Sequence, residues 1–303
     1  MNTNQQFTYI LNEHSRNGHK ALKQIKQYSD EQGYTYSVHK THYPGHAFEI
    51  ARSLAATLTV HTLLVVVGGD GTLSEVINGL ESKNADCPIG YIPTGSGNDF
   101  ARSHNIPLTI QASIQYMLQT TTPRQLDIIE IQHEHTRSYA LNSFGVGIDG
   151  MVIHSLAESK FKKVVGNAAY FSSILSAYFK QKPFNISINT GNHSLEFSNI
   201  LLAVCVNHRF FGGGIPIHPK ADPTDGVFEL VIAEKVSFSE LLSLLTKVIL
   251  KKDHLAHKKM NVVKMTDYAI NIQSHQYGQH DGELKELHGD YTISSKKRAF
   301  WIH

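Results

Sequence analysis

Leu63-Leu64-Val65-Val66-Val67-Gly68-Gly69-Asp70-Gly71-Thr72-Leu73-Ser74-Glu75-Val76-Ile77 is the stretch that decides the fold. Its first five residues form an unbroken apolar run, as a strand buried on both faces of a parallel sheet requires. Three glycines in four residues follow. Beyond them Leu73, Val76, Ile77 and Leu80 fall at i, i+3, i+4 and i+7, one face of a helix. Strand, glycine turn and helix in that order are half of a βαβ unit.

The same alternation extends in both directions. Phe7–Leu11 reads as a strand, Asn12–Gly18 as a turn and Lys20–Tyr28 as a helix. Tyr34–His39 and Ala47–Thr57 repeat strand and helix, and Ile89–Ile92 and Ile110–Leu118 follow the central stretch. This predicts an α/β domain with an open, mostly parallel sheet over residues 1–127. From 128 to 303 the pattern is strand-rich: Ile128–Ile131, Tyr139–Phe144, Phe184–Ile188, Ile200–Val206, Val227–Ile232, Val262–Met265, Ala269–Ile272 and Tyr291–Ser294. Helices are expected there at Val152–Phe161, Ala168–Phe179 and Ser237–Lys251, the last opened by a Ser237/Glu240 capping box. The expected second domain is β-rich and sandwich-like, and the final strand near 291–303 can pack back onto the first domain.

Composition narrows the function classes. The chain has 303 residues, 41% hydrophobic and 18% charged, which suits two packed domains and excludes disorder. Its 28 basic and 26 acidic side chains nearly cancel, so no electrostatic footprint calls for nucleic acid. Cys87 and Cys205 cannot build a disulfide framework, and a reducing cytoplasm is the simplest setting. The longest apolar runs, Leu63–Val67 and Ile200–Val206, fall far short of the roughly 20 residues of a spanning helix. Any membrane contact is therefore expected to be peripheral. The 19 His show no metal-ligand spacing.

Two loops carry the chemistry. At Gly68-Gly69-Asp70-Gly71-Thr72 the glycines allow close backbone approach, and the following helix N-terminus offers unpaired N–H groups to a phosphate. Asp70 would repel that phosphate unless a cation or hydrogen bond intervenes, so phosphate with Mg²⁺ accounts for the combination; a turn whose Asp caps the helix is the alternative. Neither the dinucleotide GxGxxG nor the P-loop ending in Gly-Lys-Ser/Thr is present. The second loop, Pro93-Thr94-Gly95-Ser96-Gly97-Asn98-Asp99-Phe100-Ala101-Arg102, repeats the logic, with Asn98 or Asp99 as helix cap. Loops leaving the carboxyl edge of adjacent strands face a common ligand.

Together these loops resemble the catalytic domain of diacylglycerol kinases and related lipid kinases, sphingosine kinases among them. Gly-Gly-Asp-Gly-Thr alone also resembles NAD kinases and, more distantly, phosphofructokinases. The Gly-Ser-Gly-Asn-Asp-Phe-Ala-Arg stretch favours the lipid kinases, as do Lys220-Ala221-Asp222-Pro223-Thr224-Asp225-Gly226 and Asp281-Gly282-Glu283. The resemblance covers nearly the whole chain and implies an NAD-kinase-like first domain. It implies ATP contacts at Asn12, Ser15, Thr41, Gly68, Gly69, Asp70, Gly71, Thr72, Leu73, Ser74, Glu75, Ser96 and Asn98. The family's Asn-Pro-x-Ser-Gly becomes Asn12-Glu13-His14-Ser15-Arg16 here, losing the Pro and Gly. It implies an acidic water and Mg²⁺ network at Asp70, Asp99 and Asp127. A structural Mg²⁺ is implied at Asp222 and Asp225 with the Val227 carbonyl, where local Asx turns are the other reading. Glu283 is implied as proton acceptor with Asp281 as its partner.

The expected activity is transfer of the ATP γ-phosphate to a lipid hydroxyl, most simply diacylglycerol to phosphatidic acid. It would take place in the cytoplasm at a membrane surface, by a monomer or a homodimer. An NAD kinase, and a regulator that binds nucleotide or lipid without turnover, are the competing readings. Phe210-Phe211-Gly212-Gly213-Gly214 reads either as a greasy entrance for acyl chains or as a mobile loop. Lys160/Lys162/Lys163, Lys251/Lys252, Lys258/Lys259 and Lys296/Lys297/Arg298 read as contacts for anionic headgroups or as a solvated face.

Overall fold

A computed structural model describes residues 6–59, 62–158, 167–191, 193–251 and 253–303. The cluster Lys160/Lys162/Lys163, Lys252 and the end of the expected helix Val152–Phe161 lie outside the described residues. The chain divides into two compact units. One comprises Met1–Asp127, Gly212–Gly214 and Lys297–His303; the other comprises Ile128–Phe211 and Ile215–Lys296.

In the first unit β1 (Gln6–Leu11), α1 (Gly18–Gln32), β2 (Thr35–Lys40), α2 (His46–Leu54), β3 (Thr62–Gly68), α3 (Asp70–Glu81), β4 (Ile89–Pro93), α4 (Asp99–Ser103) and α5 (Ile110–Gln119) follow in order. The four strands pair in parallel as β2-β1-β3-β4, with Leu11 beside Lys40 and Val67, and Gly68 beside Pro93. Their carboxyl ends are thus in register, and the loops at 12–17, 41–45, 69 and 94–98 leave the same edge. β3 is buried from Leu63 to Gly68, which its apolar run anticipates. Leu63, Val65 and Val67 join Phe7, Tyr9, Leu11, Ile25 and Ile114 in one core. α1 runs a turn further than its periodicity alone suggests and stops at Gly33, whose φ of 68° few other residues accept. α4 is a short helix that no apolar periodicity marks.

The second unit is antiparallel. Its elements are β5 (Arg124–His133), β6 (Thr136–Ala140), β7 (Ser143–Gly147), α6 (Ile148–Glu158), α7 (Asn167–Lys180), β8 (Phe184–Asn189), β9 (Ser194–Val206), β10 (Phe228–Glu234), α8 (Phe238–Thr246), β11 (Met260–Met265), β12 (Tyr268–His280) and β13 (Glu283–Phe300). β11, β10, β9, β7, β12 and β13 are neighbours in that order, and β8 pairs with both β9 and β12. Alternate residues of these strands, Ile186, Ile188, Ala203, Cys205, Leu230, Ile232, Ile270 and Ile272 among them, make one apolar core.

Three sequence expectations change here. The single strand Tyr139–Phe144 is two, β6 and β7, broken at Leu141-Asn142, where the backbone amides turn to a side chain instead of a neighbouring strand. The helix Ser237–Lys251 keeps its capping box but loosens into a π-helical turn at Lys247–Lys251. The two short strands Ala269–Ile272 and Tyr291–Ser294 are parts of a long hairpin, β12–β13, irregular between Ile272 and Gln276. The last residues of β13, from Lys297, belong to the first unit. There Arg298, almost fully buried, donates to Glu81 at 3.0 Å and to the Cys87 carbonyl at 2.7 Å.

Candidate active site

The loops at the carboxyl edge of the parallel strands enclose a cleft of about 700 Å³. Its walls include Asn12, Ser15, Thr41, Gly69, Gly71, Thr72, Glu75 and Ser96, all singled out in the sequence for phosphate chemistry. His14, Arg16, His42, Tyr43, Pro44, Ala47 and Gly95 complete it. The first amides of α3 lie at this edge, where no intrahelical acceptor exists for them.

Local hydrogen bonds hold each wall. Asn12 donates through Nδ2 to Thr72 Oγ1 at 3.0 Å and accepts at Oδ1 from the His14 amide. Ser15 Oγ reaches the Asn12 carbonyl and Thr94 Oγ1, both at 2.7 Å. Glu75 accepts the amides of Gly45 and Ala47 at 2.9 and 3.1 Å, so α3 holds the start of α2 and the loop carrying Thr41. Glycine is required for contact between the loops themselves: a Cβ on Gly95 would stand 2.5 Å from Gly69 Cα. Gly18 likewise packs against the 12–15 turn, where a Cβ would lie 2.1 Å from the Asn12 carbonyl oxygen. That close approach, two residues after Arg16, is a requirement no spacing rule reveals.

Other named residues do not line the cleft. Gly68 and Leu73 are buried at the strand end and in the helix core. Ser74 is also buried and offers its carbonyl to Asn78. Asn98, in the left-handed region at φ 52°, clasps Gly95 through both ends of its amide. It makes no side-chain cap on α4. The cap comes from Asp70, whose Oδ2 and Oδ1 accept the amides of Asp99 and Phe100 at 3.0 and 3.1 Å. Burial raises the Asp70 carboxyl, and those amides partly offset it. Asp99 is 7% exposed, accepts the Gly213 amide at 2.8 Å, and is pushed up to about 6 by burial. Its Oδ1 is buried with no hydrogen-bond partner. Asp127 is ion-paired to Lys297 at 2.9 Å.

In the second unit Asp281-Gly282 is the two-residue turn joining β12 to β13, both at positive φ, 49° and 86°. The Asp281 carboxylate accepts three amides, Leu141 at 2.6, Asn142 at 2.7 and Ser143 at 3.1 Å. It is what breaks the strand between β6 and β7. Gln279, fully buried, donates to Ser143 Oγ and accepts from the Gly282 amide, so the turn is fastened twice. Asp149 is buried nearby on the chain start of α6, and burial pushes its carboxyl up to about 7. Glu283, by contrast, is half exposed, with Lys285 at 3.3 Å. Asp222 accepts the amide and hydroxyl of Thr224, and Asp225 accepts the amide of Val227. These are Asx turns that gather two hard carboxylates and the Val227 segment in one loop. Among the described residues no three His, Cys, Asp or Glu side chains cluster as a metal site.

Residues 6–131 match the family profile of the diacylglycerol kinase catalytic domain, and residues 142–290 match the YegS C-terminal NAD kinase beta sandwich-like domain. A Bacillus subtilis protein named "Putative lipid kinase YtlR" is 31% identical over 260 residues, covering 82% of each chain. A diacylglycerol kinase of the same organism is 27% identical over 288 residues, 92% of each chain. The fold resembles that of a "putative diacylglycerol kinase" from Bacillus anthracis, with a TM-score of 0.76 at 20% identity over 100% of this chain and 97% of that one. No described helix is long and apolar enough to cross a membrane. With matches that run through both units, the chain belongs to the diacylglycerol kinase family of lipid kinases, whose co-substrate is ATP.

Proposed function

We propose that the protein phosphorylates the free hydroxyl of diacylglycerol, giving phosphatidic acid, with Mg²⁺ and at the cytoplasmic surface of a membrane. The observation that carries this reading is the convergence of Asn12, Ser15, Thr41, Gly69, Gly71, Thr72, Glu75 and Ser96 on one cleft. Amides of the first turn of α3 and the hydroxyl of Ser96 supply donors for phosphate oxygens, Arg16 adds a positive charge, and Ser15, whose hydroxyl already donates to the Asn12 carbonyl, braces the turn that carries it. Asn12 and Glu75 hold the walls. The first unit binds the nucleotide, and the second presents the lipid.

Glu283 takes the proton from the attacking hydroxyl; its half-exposed carboxylate can be reached by a substrate. Asp281 positions it by fixing the turn from which β13 starts. Phosphoryl transfer passes through a loose transition state, so orientation contributes as much as basicity. Mg²⁺ supplies charge neutralisation at the phosphates. The paired carboxylates of Asp222 and Asp225 fit a second, structural ion in their donor chemistry. Asp70, Asp99 and Asp127 stand off the cleft wall in the same unit, and buried Asp99 Oδ1 retains an unused lone pair for a water or cation.

The test is a labelled-ATP assay with Mg²⁺ in mixed micelles, offering diacylglycerol, sphingosine, phosphatidylglycerol and NAD. Label in phosphatidic acid is expected. Label on another lipid or on NAD reassigns the acceptor. Nucleotide binding without transfer to any of them would return the chain to a regulatory role.

A further inference from the structure

Outside the cleft, the second unit exposes apolar side chains, two of them rings in contact with each other. Phe179 at the end of α7 is 72% exposed, and Phe238 and Leu242 on α8 are 40% and 37% exposed. Phe238 and Leu242 are one helical turn apart and share a face. The rings of Phe179 and Phe238 lie 5.3 Å apart, and Tyr178 stands 5.3 and 5.9 Å from them. Beneath them, Leu241 and Leu244 pack with Leu175 and Tyr178 against Leu201 and Val236. Tyr178 also donates to the Val236 carbonyl at 2.8 Å, which ties α7 to the segment before α8.

The rim is basic. Lys180 and Lys182 follow Phe179 in the chain. Lys235 precedes α8, and Lys259 donates to its carbonyl at 2.7 Å. Lys258 and Lys259 both act on Glu240. These segments thus carry Lys180, Lys182, Lys235, Lys258 and Lys259 against Glu234 and Glu240.

The geometry points to this patch as a docking surface for an anionic phospholipid bilayer, with the rings entering the interface and the lysines meeting headgroup phosphates. An exposed aromatic cluster carried on lysine-rich segments matches a charged surface over an apolar interior. The inference deepens the lipid-kinase reading and rests on it for its purpose, since the acceptor hydroxyl would lie at that surface.

The test is co-sedimentation with vesicles of phosphatidylcholine, with and without phosphatidylglycerol. Wild type is expected to sediment with the anionic vesicles and to be released by salt. Phe179→Ser/Phe238→Ser, both at exposed positions, is expected to weaken binding by about tenfold or more, and Lys180→Glu/Lys235→Glu similarly. Both double variants should phosphorylate a water-soluble short-chain diacylglycerol at the wild-type rate. Equal vesicle binding by wild type and variants overturns the docking surface. So does a wild-type dimer in sedimentation velocity that the aromatic variant loses, which would assign the patch to a second copy of the chain. Vesicle binding without phosphorylation of any lipid keeps the docking surface and overturns the acceptor reading.

Discussion

Asp70 caps α4 and belongs to the proposed phosphate loop, and its substitutions separate the two roles. Its carboxylate accepts the first two amides of α4. Removing a charged acceptor leaves those donors unpaired, so Asp70→Ala should lose about 2 kcal/mol of stability. Asp70→Asn keeps one acceptor and should lose less. Turnover should fall sharply in both, and urea melts alongside the kinase assay decide how much of that fall is folding. Asp99 gives a pH signature. Its carboxyl stands at about 6 in the folded chain, above the ordinary value of about 3.9. Between those values the native state holds more protons than the unfolded state, so stability falls as pH rises through that window. Asp149, raised to about 7, adds the same sign and extends the fall upward. Asp99→Asn should flatten the pH 4–6 part of the stability curve, and an unchanged slope there would assign the effect elsewhere.

At the scale of elements the β12–β13 turn separates fastening from chemistry. Asp281→Ala removes the acceptor of three amides and should destabilise the second unit by about 3 kcal/mol, with activity lost in consequence. Glu283→Gln changes an exposed side chain, so its melting temperature should match wild type while turnover drops by about 10²–10⁴-fold. Wild-type turnover in Glu283→Gln would remove Glu283 from proton transfer. The Asn12–Gly18 turn offers a third case: Gly18→Ala drives a methyl into the Asn12 carbonyl and should raise KM for ATP with little effect on kcat. The strand, glycine turn and helix at 63–80 are legible in the sequence because burial on both faces writes an apolar run and helical packing writes a periodicity. Both are local. The role of Asp281 is not legible, since its partners lie about 140 residues earlier in the chain. Nor is the Asp70 cap, because an Asp beside glycines reads equally as a phosphate neighbour until the 98–100 turn is placed against it. Glycines 69 and 95 are legible as close-approach positions, but what approaches them is the other loop.

At the scale of the whole chain, the first unit is completed by two returns of the polypeptide. Residues 212–214 and 297–303 rejoin the first unit after long excursions. At the second return Arg298 meets Glu81 with both side chains nearly inaccessible. Breaking a buried pair on one side strands the other charge, so Arg298→Ala should lose about 3–5 kcal/mol, read as a lower urea midpoint for the first unit. The Asp222/Asp225 loop gives a milder effect: if it binds its ion only when folded, chelation should lower the wild-type melting temperature, and Asp222→Ala should abolish that shift. The second return also sets an order of events during synthesis. A growing chain meets the ribosome exit with residues 1–127 first, yet the strand that lies against Ile89 and the arginine that meets Glu81 are made only after the whole of the second unit. Until then the first unit has an unpaired sheet edge and a buried carboxylate awaiting its cation. Cutting the gene at the domain boundary would make that transient state permanent, and the half that looks self-sufficient in sequence would emerge as the one prone to aggregate.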